Sequence, residues 1–300
     1  MLAVTILGNN SAIPAFNRHP TAQVVQTNEQ SFLIDCGEGT QMQMDRYRIR
    51  HSKINHIFIS HLHGDHYFGL IGLLTSMALQ GRKKEMHLYA PAVLKTIIDL
   101  QLQVASAHLS YDLHFHPLET ECTITDTPKI TVECFKMMHR IECWGFLFRE
   151  KKNLRKINAE EVKKYNVPPS FYDELHNGKD FIREDNTVLK NELLTLPSPP
   201  VKTYAFCGDT MYHEEVIEKI KDVDLLYHET TYLHDLHERA ASRFHSTSKQ
   251  AATIAHKASA KRLLVGHFSS MYEKLDDFKT EASTIFENTE LAIEGMCYWV

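Results

Sequence analysis

The densest chemical signal in the chain is His61-Leu62-His63-Gly64-Asp65-His66, four ligand-type side chains within six residues. It follows residues 55–60 (NHIFIS), a β-branched and aromatic run that predicts a buried strand. It precedes the apolar stretch 67–79, which predicts a buried helix ended by Gly81. Alternate residues of an extended chain point the same way, so His61 and His63 can reach one ion. The turn at Gly64 then aims Asp65 and His66 elsewhere, toward a second ion nearby. Imidazole nitrogens combined with carboxylate oxygens suit zinc or another borderline divalent metal.

More ligands are available downstream, each where a strand is expected to end. His139 ends residues 130–138, Asp209 follows Tyr204-Ala-Phe-Cys-Gly208, and His267 ends Arg262-Leu-Leu-Val-Gly266. Strand termini are where layered α/β proteins hold their sites. Any one of these three alone reads as an ordinary loop residue. In this order, after the six-residue loop, they complete a candidate ligand set.

The elements that must position these side chains alternate between strands and helices. Strands are expected at residues 2–7, 23–27, 31–35, 55–60, 86–90, 112–116, 130–138 and 144–148, with a polar helix at 40–50 and another opened by Pro91. The pattern resumes at 204–207, 224–227 and 263–266, each followed by helix-like sequence. Two β-rich halves with helices predict an α/β layered sandwich. Between them, residues 150–164 carry Lys151, Lys152, Arg155, Lys156, Lys163 and Lys164, and Pro168-Pro169 and Pro197-Ser198-Pro199-Pro200 follow. This stretch reads as an inserted arm without a core of its own.

Composition bounds the function. With 33 Lys plus Arg, 38 Asp plus Glu and a net charge of −5, the surface is not basic throughout, so any polyanion must meet a local concentration of cations. A hydrophobic content of 43% excludes general disorder. No apolar run approaches the roughly 20 residues of a membrane span, and the N-terminus lacks a signal-peptide pattern, so a cytoplasmic protein without a membrane partner is expected. The six cysteines form no C-x-x-C pair and are expected to be reduced thiols.

The loop H-x-H-x-D-H followed by His, Asp and His resembles the metallo-β-lactamase superfamily. More narrowly, nearly the whole chain resembles the ribonuclease Z family of tRNA 3′-processing endonucleases. His228-Glu229-Thr230-Thr231 is similar to that family's H-E-A-T stretch, and His245-Ser246-Thr247 matches its H-S-T motif. The basic insert at about 150–200 occupies the place of the family's flexible tRNA-binding arm.

The resemblance implies an αββα four-layer sandwich, a single domain over residues 1–300 interrupted by that arm. It implies two zinc ions per chain, or other divalent metals. His61, His63 and His139 would hold one, Asp65, His66 and His267 the other, and Asp209 would bridge. Asp65 would also accept a proton, His245 would act on the leaving 3′-oxygen, and Glu229 would orient His245. The implied reaction cuts the 3′ trailer from precursor tRNA, leaving a 3′-hydroxyl on the tRNA and a 5′-phosphate on the trailer. A homodimer is implied as well.

The substrate loop often reads P-x-K-x-R-N in the family; here it is Pro14-Ala15-Phe16-Asn17-Arg18-His19. Arg18 is expected to grip phosphate and Phe16 to stack on a terminal base, with Lys151, Lys152, Arg155 and Lys156 contacting tRNA from the arm. Phe268-Ser269-Ser270-Met271-Tyr272 lacks the arginine of the family's F-S-x-R-Y. Another hydrolase on the same scaffold, such as a small phosphodiesterase, arylsulfatase or lactonase, would need neither arm nor H-S-T. A non-catalytic nucleic-acid-binding scaffold would not need all seven ligands intact. Ser246 or Thr247 could also simply start a helix at 248–257.

Overall fold

Neighbouring residues of strand Ser31–Ile34 face opposite ways, as a pleated strand requires. Leu33 joins an apolar cluster with Leu70, Leu73 and Leu74 of helix Leu70–Leu79, whereas Phe32 meets Phe148, their ring centroids 5.7 Å apart. The division recurs in strand Ile54–Phe58, where Ile57 joins the helix-side cluster and Phe58 stands 5.3 Å from Phe146. One face of this sheet is therefore covered by helices and the other by a second sheet.

The computed structural model describes residues 2–151, 154–198 and 200–300. The first sheet runs in the order Cys297–Trp299, Ala3–Gly8, Ala22–Gln26, Ser31–Ile34, Ile54–Phe58, Met86–Ala90, Leu113–Pro117. The second runs Thr289–Leu291, Leu263–Gly266, Leu225–Glu229, Thr203–Cys207, Cys143–Glu150, Ile130–Met137, Cys122–Asp126. Outside the second sheet, Ala252, Ile254 and Ala255 of helix Ser248–Lys257 and Phe278 and Ala282 of helix Asp276–Ser283 cluster with Cys207, Leu226 and Val265. The order helix, sheet, sheet, helix is the expected αββα sandwich. Between the sheets Phe32, Phe58, Phe146, Phe148, Phe206 and Tyr227 are fully buried, each contributing roughly 1.5–3 kcal/mol of burial.

The helix expected over 67–79 is broken. A short helix, Gly64–Tyr67, is followed by Leu70–Leu79, because the Gly69 N–H donates to the Cys36 carbonyl at 2.9 Å. A Cβ at Gly69 would sit 2.2 Å from the Gly37 carbonyl oxygen, so only glycine permits this approach. Gly81, at φ +79°, lies just past the helix end as expected. The polar helix stops at Arg46, short of the expected residue 50, and Arg48 takes a left-handed φ of 58°.

Strands Thr203–Cys207, Leu225–Glu229 and Leu263–Gly266 are parallel neighbours, and Ile54–Phe58 lies parallel between Ser31–Ile34 and Met86–Ala90. The carboxyl ends of these strands deliver the six-residue loop, Asp209, Glu229 and His267.

The chain divides into two compact units, the smaller comprising Thr127–Thr131 and Arg149–Val201. Within it, Lys156–Ile157 pairs with Thr195–Leu196 and Phe181–Ile182 with Val188–Leu189. Asn158 caps helix Ala159–Lys164 by accepting from the Glu161 N–H. The expectation that this segment lacks a core is corrected: Val162, Val167, Leu175, Leu189 and Leu194 form a buried cluster. Polar residues separate them along the chain, so no apolar run announces the cluster. Among the described residues no helix is long and apolar enough to cross a membrane.

Candidate metal centre

His61, His63, His139 and Asp209 form one group of ligand-type atoms, and Asp65, His66 and His267 another. In the first, His63 Nδ1 lies 3.0 Å from His61 Nε2 and 3.2 Å from His139 Nε2. Asp209 faces this group with Oδ2, 3.5 Å from His61 Nε2 and 3.9 Å from His139 Nε2. Its other oxygen, Oδ1, faces the second group, 3.1 Å from His267 Nε2 and 3.4 Å from His66 Nε2. Asp65 Oδ2 completes that group, 3.5 Å from His267 Nε2 and 3.6 Å from His66 Nε2. The structure thus brings all seven expected residues together, with Asp209 turned to both groups.

Three buried atoms converge on the second group without hydrogen-bond partners among the described residues: His66 Nε2, His267 Nε2 and Asp209 Oδ1. An orphaned buried polar atom costs about 1–3 kcal/mol, and a cation at their meeting point would satisfy all three. The donor set fits divalent metal binding. Electrostatics agree. Burial disfavours a charged Asp209, yet His267 and His66 hold its carboxyl well below the usual range. Burial pushes His61 well down, keeping its ring neutral. His66 goes well above its ordinary value, because Asp209, Asp65 and Asp35 outweigh burial.

Three of the rings are held from behind, which fixes the nitrogen turned inward. His139 Nδ1 donates to the Phe244 carbonyl at 2.9 Å, and His267 Nδ1 meets Thr231 Oγ1 at 3.0 Å. His267 takes a left-handed φ of 61° to aim its ring. His66 Nδ1 lies 2.7 Å from Asp35 Oδ2. Asp35 also accepts from the Ser60 N–H and hydroxyl at 2.8 and 2.9 Å, tying the start of the loop to the neighbouring strand. Asp35 and Thr231 belong to no ligand motif; an acidic residue at the end of an apolar strand, as in Ile34-Asp35, is the one local signal of this role.

His245 stands beside these groups. Its Nδ1 donates to Glu229 Oε1 at 2.9 Å and lies 4.0 Å from Asp209 Oδ2. Burial lowers its pKa, but the Glu229 carboxylate, with Asp209 and Asp65, raises it to about 9. Glu229 does more than orient this ring. It also accepts from the backbone N–H of Thr210, Thr231 and Ser246 and from the Thr231 hydroxyl. The helix-start reading holds for Thr247, which forms a capping box with Gln250, and it leaves the His245 ring available to the site. A cleft of about 500 Å³ opens here, lined by His63, Asp65, Asp209 and His245 together with Phe68 and Arg140.

The expected substrate residues lie in differing surroundings. Arg18 is engaged by protein acceptors: Nε, Nη1 and Nη2 donate to Asn10 Oδ1 and to the Glu273 and Tyr272 carbonyls. Its guanidinium latches that loop and lies 5.2 Å from the Phe16 ring centroid. Phe16 is about half exposed, at 49%. In the smaller unit Arg155 is tied to Thr195 Oγ1 at 2.6 Å, Lys156 is exposed and Lys151 is half-buried. Lys152 lies outside the described residues.

Comparison with known proteins bears on this arrangement. The family model described as anti-Pycsar protein Apyc1 matches residues 2–156, just over half of the chain, which therefore belongs to that family; the match ends before Asp209, Glu229, His245 and His267. Ribonuclease Z of Bacteroides thetaiotaomicron is 43% identical over 294 residues, covering 97% of this chain and 93% of the relative. Ribonuclease Z of Cytophaga hutchinsonii is 42% identical over 306 residues, covering 98% and 95%. The short form of human tRNase Z superposes with a TM-score of 0.72 at 25% identity, covering 99% of each chain. The metallo-β-lactamase-fold protein YhfI of Bacillus subtilis gives 0.70 at 19% identity over the full length of both, a likeness of fold. Identity above 40% over nearly the whole chain, a span that extends past the end of the Apyc1 match, means that the chain belongs to the ribonuclease Z family.

Proposed function

We propose that the protein is a zinc-dependent endoribonuclease that removes the 3′ trailer from precursor tRNA, leaving a 3′-hydroxyl on the tRNA and a 5′-phosphate on the trailer. The observation that carries this reading is near-full-length likeness to ribonuclease Z, joined to a His245–Glu229 pair that a bare metal site does not need. Two ions per chain is the stoichiometry the split of Asp209 supports. His61, His63 and His139 would hold one, Asp65, His66 and His267 the other, with Asp209 shared. When bound, such ions supply Lewis acidity toward the phosphoryl oxygen and lower the pKa of water.

The chain's own residues do the rest. Asp65, fixed by the Ala12 N–H at 2.7 Å, is positioned to take a proton from the attacking water. His245, held through Nδ1 by the Glu229 carboxylate that favours its charged form, offers Nε2–H to the departing 3′-oxygen. Glu229 keeps that ring charged and aimed. Exposed Lys156 and Lys163 suit the smaller unit to phosphate contact, and exposed Phe16 suits base stacking. A homodimer is supported by the apolar side chains of Phe68, Val93, Leu100 and Val104, exposed at 65, 63, 58 and 78%. A cytoplasmic location is in keeping with cysteines that are all free.

The test is incubation of metal-loaded protein with precursor tRNAs differing only at the 3′ end, followed by mapping of both new termini. A single cut at the base of the trailer, with the termini named above, is expected. Turnover of small phosphodiesters with intact tRNA would favour another hydrolase on this scaffold.

A further inference from the structure

Arg140 directly follows the ligand-type residue His139 and lies on the cleft wall. Among the residues lining that cleft it is the one side chain charged at every accessible pH, and it shares the lining with Glu38, Asp65 and Asp209. Among the described residues it has no carboxylate partner; its polar contact is Nη2 to His63 Nε2 at 3.3 Å. Arg18 and Arg155, by contrast, are tied down by protein acceptors. Arg140 is exposed on that wall, so its guanidinium is available to an anion entering the cleft.

The facing histidine sharpens the requirement. His63 turns Nδ1 toward His61 and His139, so a metal would be met by that nitrogen. A neutral imidazole that coordinates through Nδ1 carries its proton on Nε2. Nε2–H and the guanidinium are then two donors facing each other across 3.3 Å, and neither can accept. An anionic oxygen between them would satisfy both, and the planar fork of arginine matches two oxygens of a phosphate.

We infer that Arg140, with His63 Nε2–H, grips a non-bridging oxygen of the scissile phosphate. This rests on the proposed phosphodiesterase reading and adds a substrate-binding residue to it. Bound there, the phosphate shares the cleft with the His245 ring.

The experiment uses metal-loaded wild type, Arg140→Ala and Arg140→Lys. Inorganic phosphate binding is read by calorimetry and by competition with hydrolysis of a nitrophenyl phosphodiester. Metal content is measured in parallel. Arg140→Ala should bind phosphate about 10- to 100-fold more weakly, the range of a charged hydrogen bond, with metal content unchanged and KM for the small diester raised. Arg140→Lys should recover part of the loss, since it keeps the charge without the fork. Unchanged phosphate binding in Arg140→Ala overturns the inference, including where tRNA affinity alone falls, for the arginine would then meet a different phosphate. Loss of metal in Arg140→Ala overturns it too, making Arg140 a support for His63. Wild type that leaves precursor tRNA uncut while binding phosphate sinks the tRNA reading and not this one.

Discussion

Glu229→Gln should uncouple the His245 proton from the site while changing almost no volume. In the wild type Oε1 accepts from Thr210 N–H, Ser246 N–H and His245, and Oε2 accepts from Thr231 N–H and its hydroxyl. An amide places NH₂ against one of these sets. The smaller loss puts it at Oε2, where the Thr231 hydroxyl can rotate to accept but the Thr231 N–H is orphaned, costing about 1–3 kcal/mol. The electrostatic effect is larger. In metal-free protein the gap between a His245 pKa of about 9 and the ordinary 6.5 corresponds to roughly 3 kcal/mol of preference for the charged ring. Without the carboxylate, burial is opposed only by the remaining pull of Asp209 and Asp65, and the ring should titrate well below 9. Because pairing raises the pKa, its stabilisation is complete below pH 6.5 and is lost as pH rises through about 9. The difference in Tm between wild type and variant should therefore be widest near pH 6.5 and narrow toward pH 10. Imidazole proton shifts followed by NMR across pH 5.5–10 on chelator-treated protein, with parallel thermal melts, read both effects. A variant whose His245 still titrates near 9 would show that Glu229 does not hold the proton.

Asp209→Asn keeps one acceptor oxygen and presents an amide to the other group, so bound divalent ions should fall by at least half in elemental analysis; full retention would refute the shared carboxylate. His66 is held protonated by three carboxylates, and a metal takes only the neutral ring. Zinc binding near pH 7 should therefore release protons, visible as a dependence of the calorimetric heat on buffer ionisation enthalpy, and affinity should weaken as pH falls. Excision of residues 151–198 should weaken precursor tRNA binding and flatten its salt dependence while small diesters are still hydrolysed; unchanged tRNA affinity would make the basic run ordinary surface.

The six-residue ligand loop was legible because its information is local: alternation brings His61 and His63 together, and Gly64 marks the turn. His139, Asp209 and His267 were legible because each terminates a recognisable strand. Asp35 was not, because its role exists only through the pairing of Ser31–Ile34 with Ile54–Phe58, which sets it beside Ser60. The break at Gly69 is equally non-local, caused by the backbone of residues 36–37 crossing the helix start. Strands Thr289–Leu291 and Cys297–Trp299 escaped notice because three residues carry too little periodicity. The contacts Arg18 makes were not legible, because composition cannot reveal that the backbone carbonyls at 272–273 lie within reach of its donors.

His61, His63, Asp65 and His66 lie on the loop leaving the first sheet, whereas His139, Asp209 and His267 leave the second. An ion held by both groups is a cross-link between halves of the sandwich that are distant along the chain. Such a link forms only after the halves have docked, too late to assist the rate-limiting step of folding. It must, however, be broken before they can separate. Metal loading should thus act on the unfolding limb of the kinetics, prolonging the lifetime of the folded state while refolding proceeds at nearly the metal-free rate.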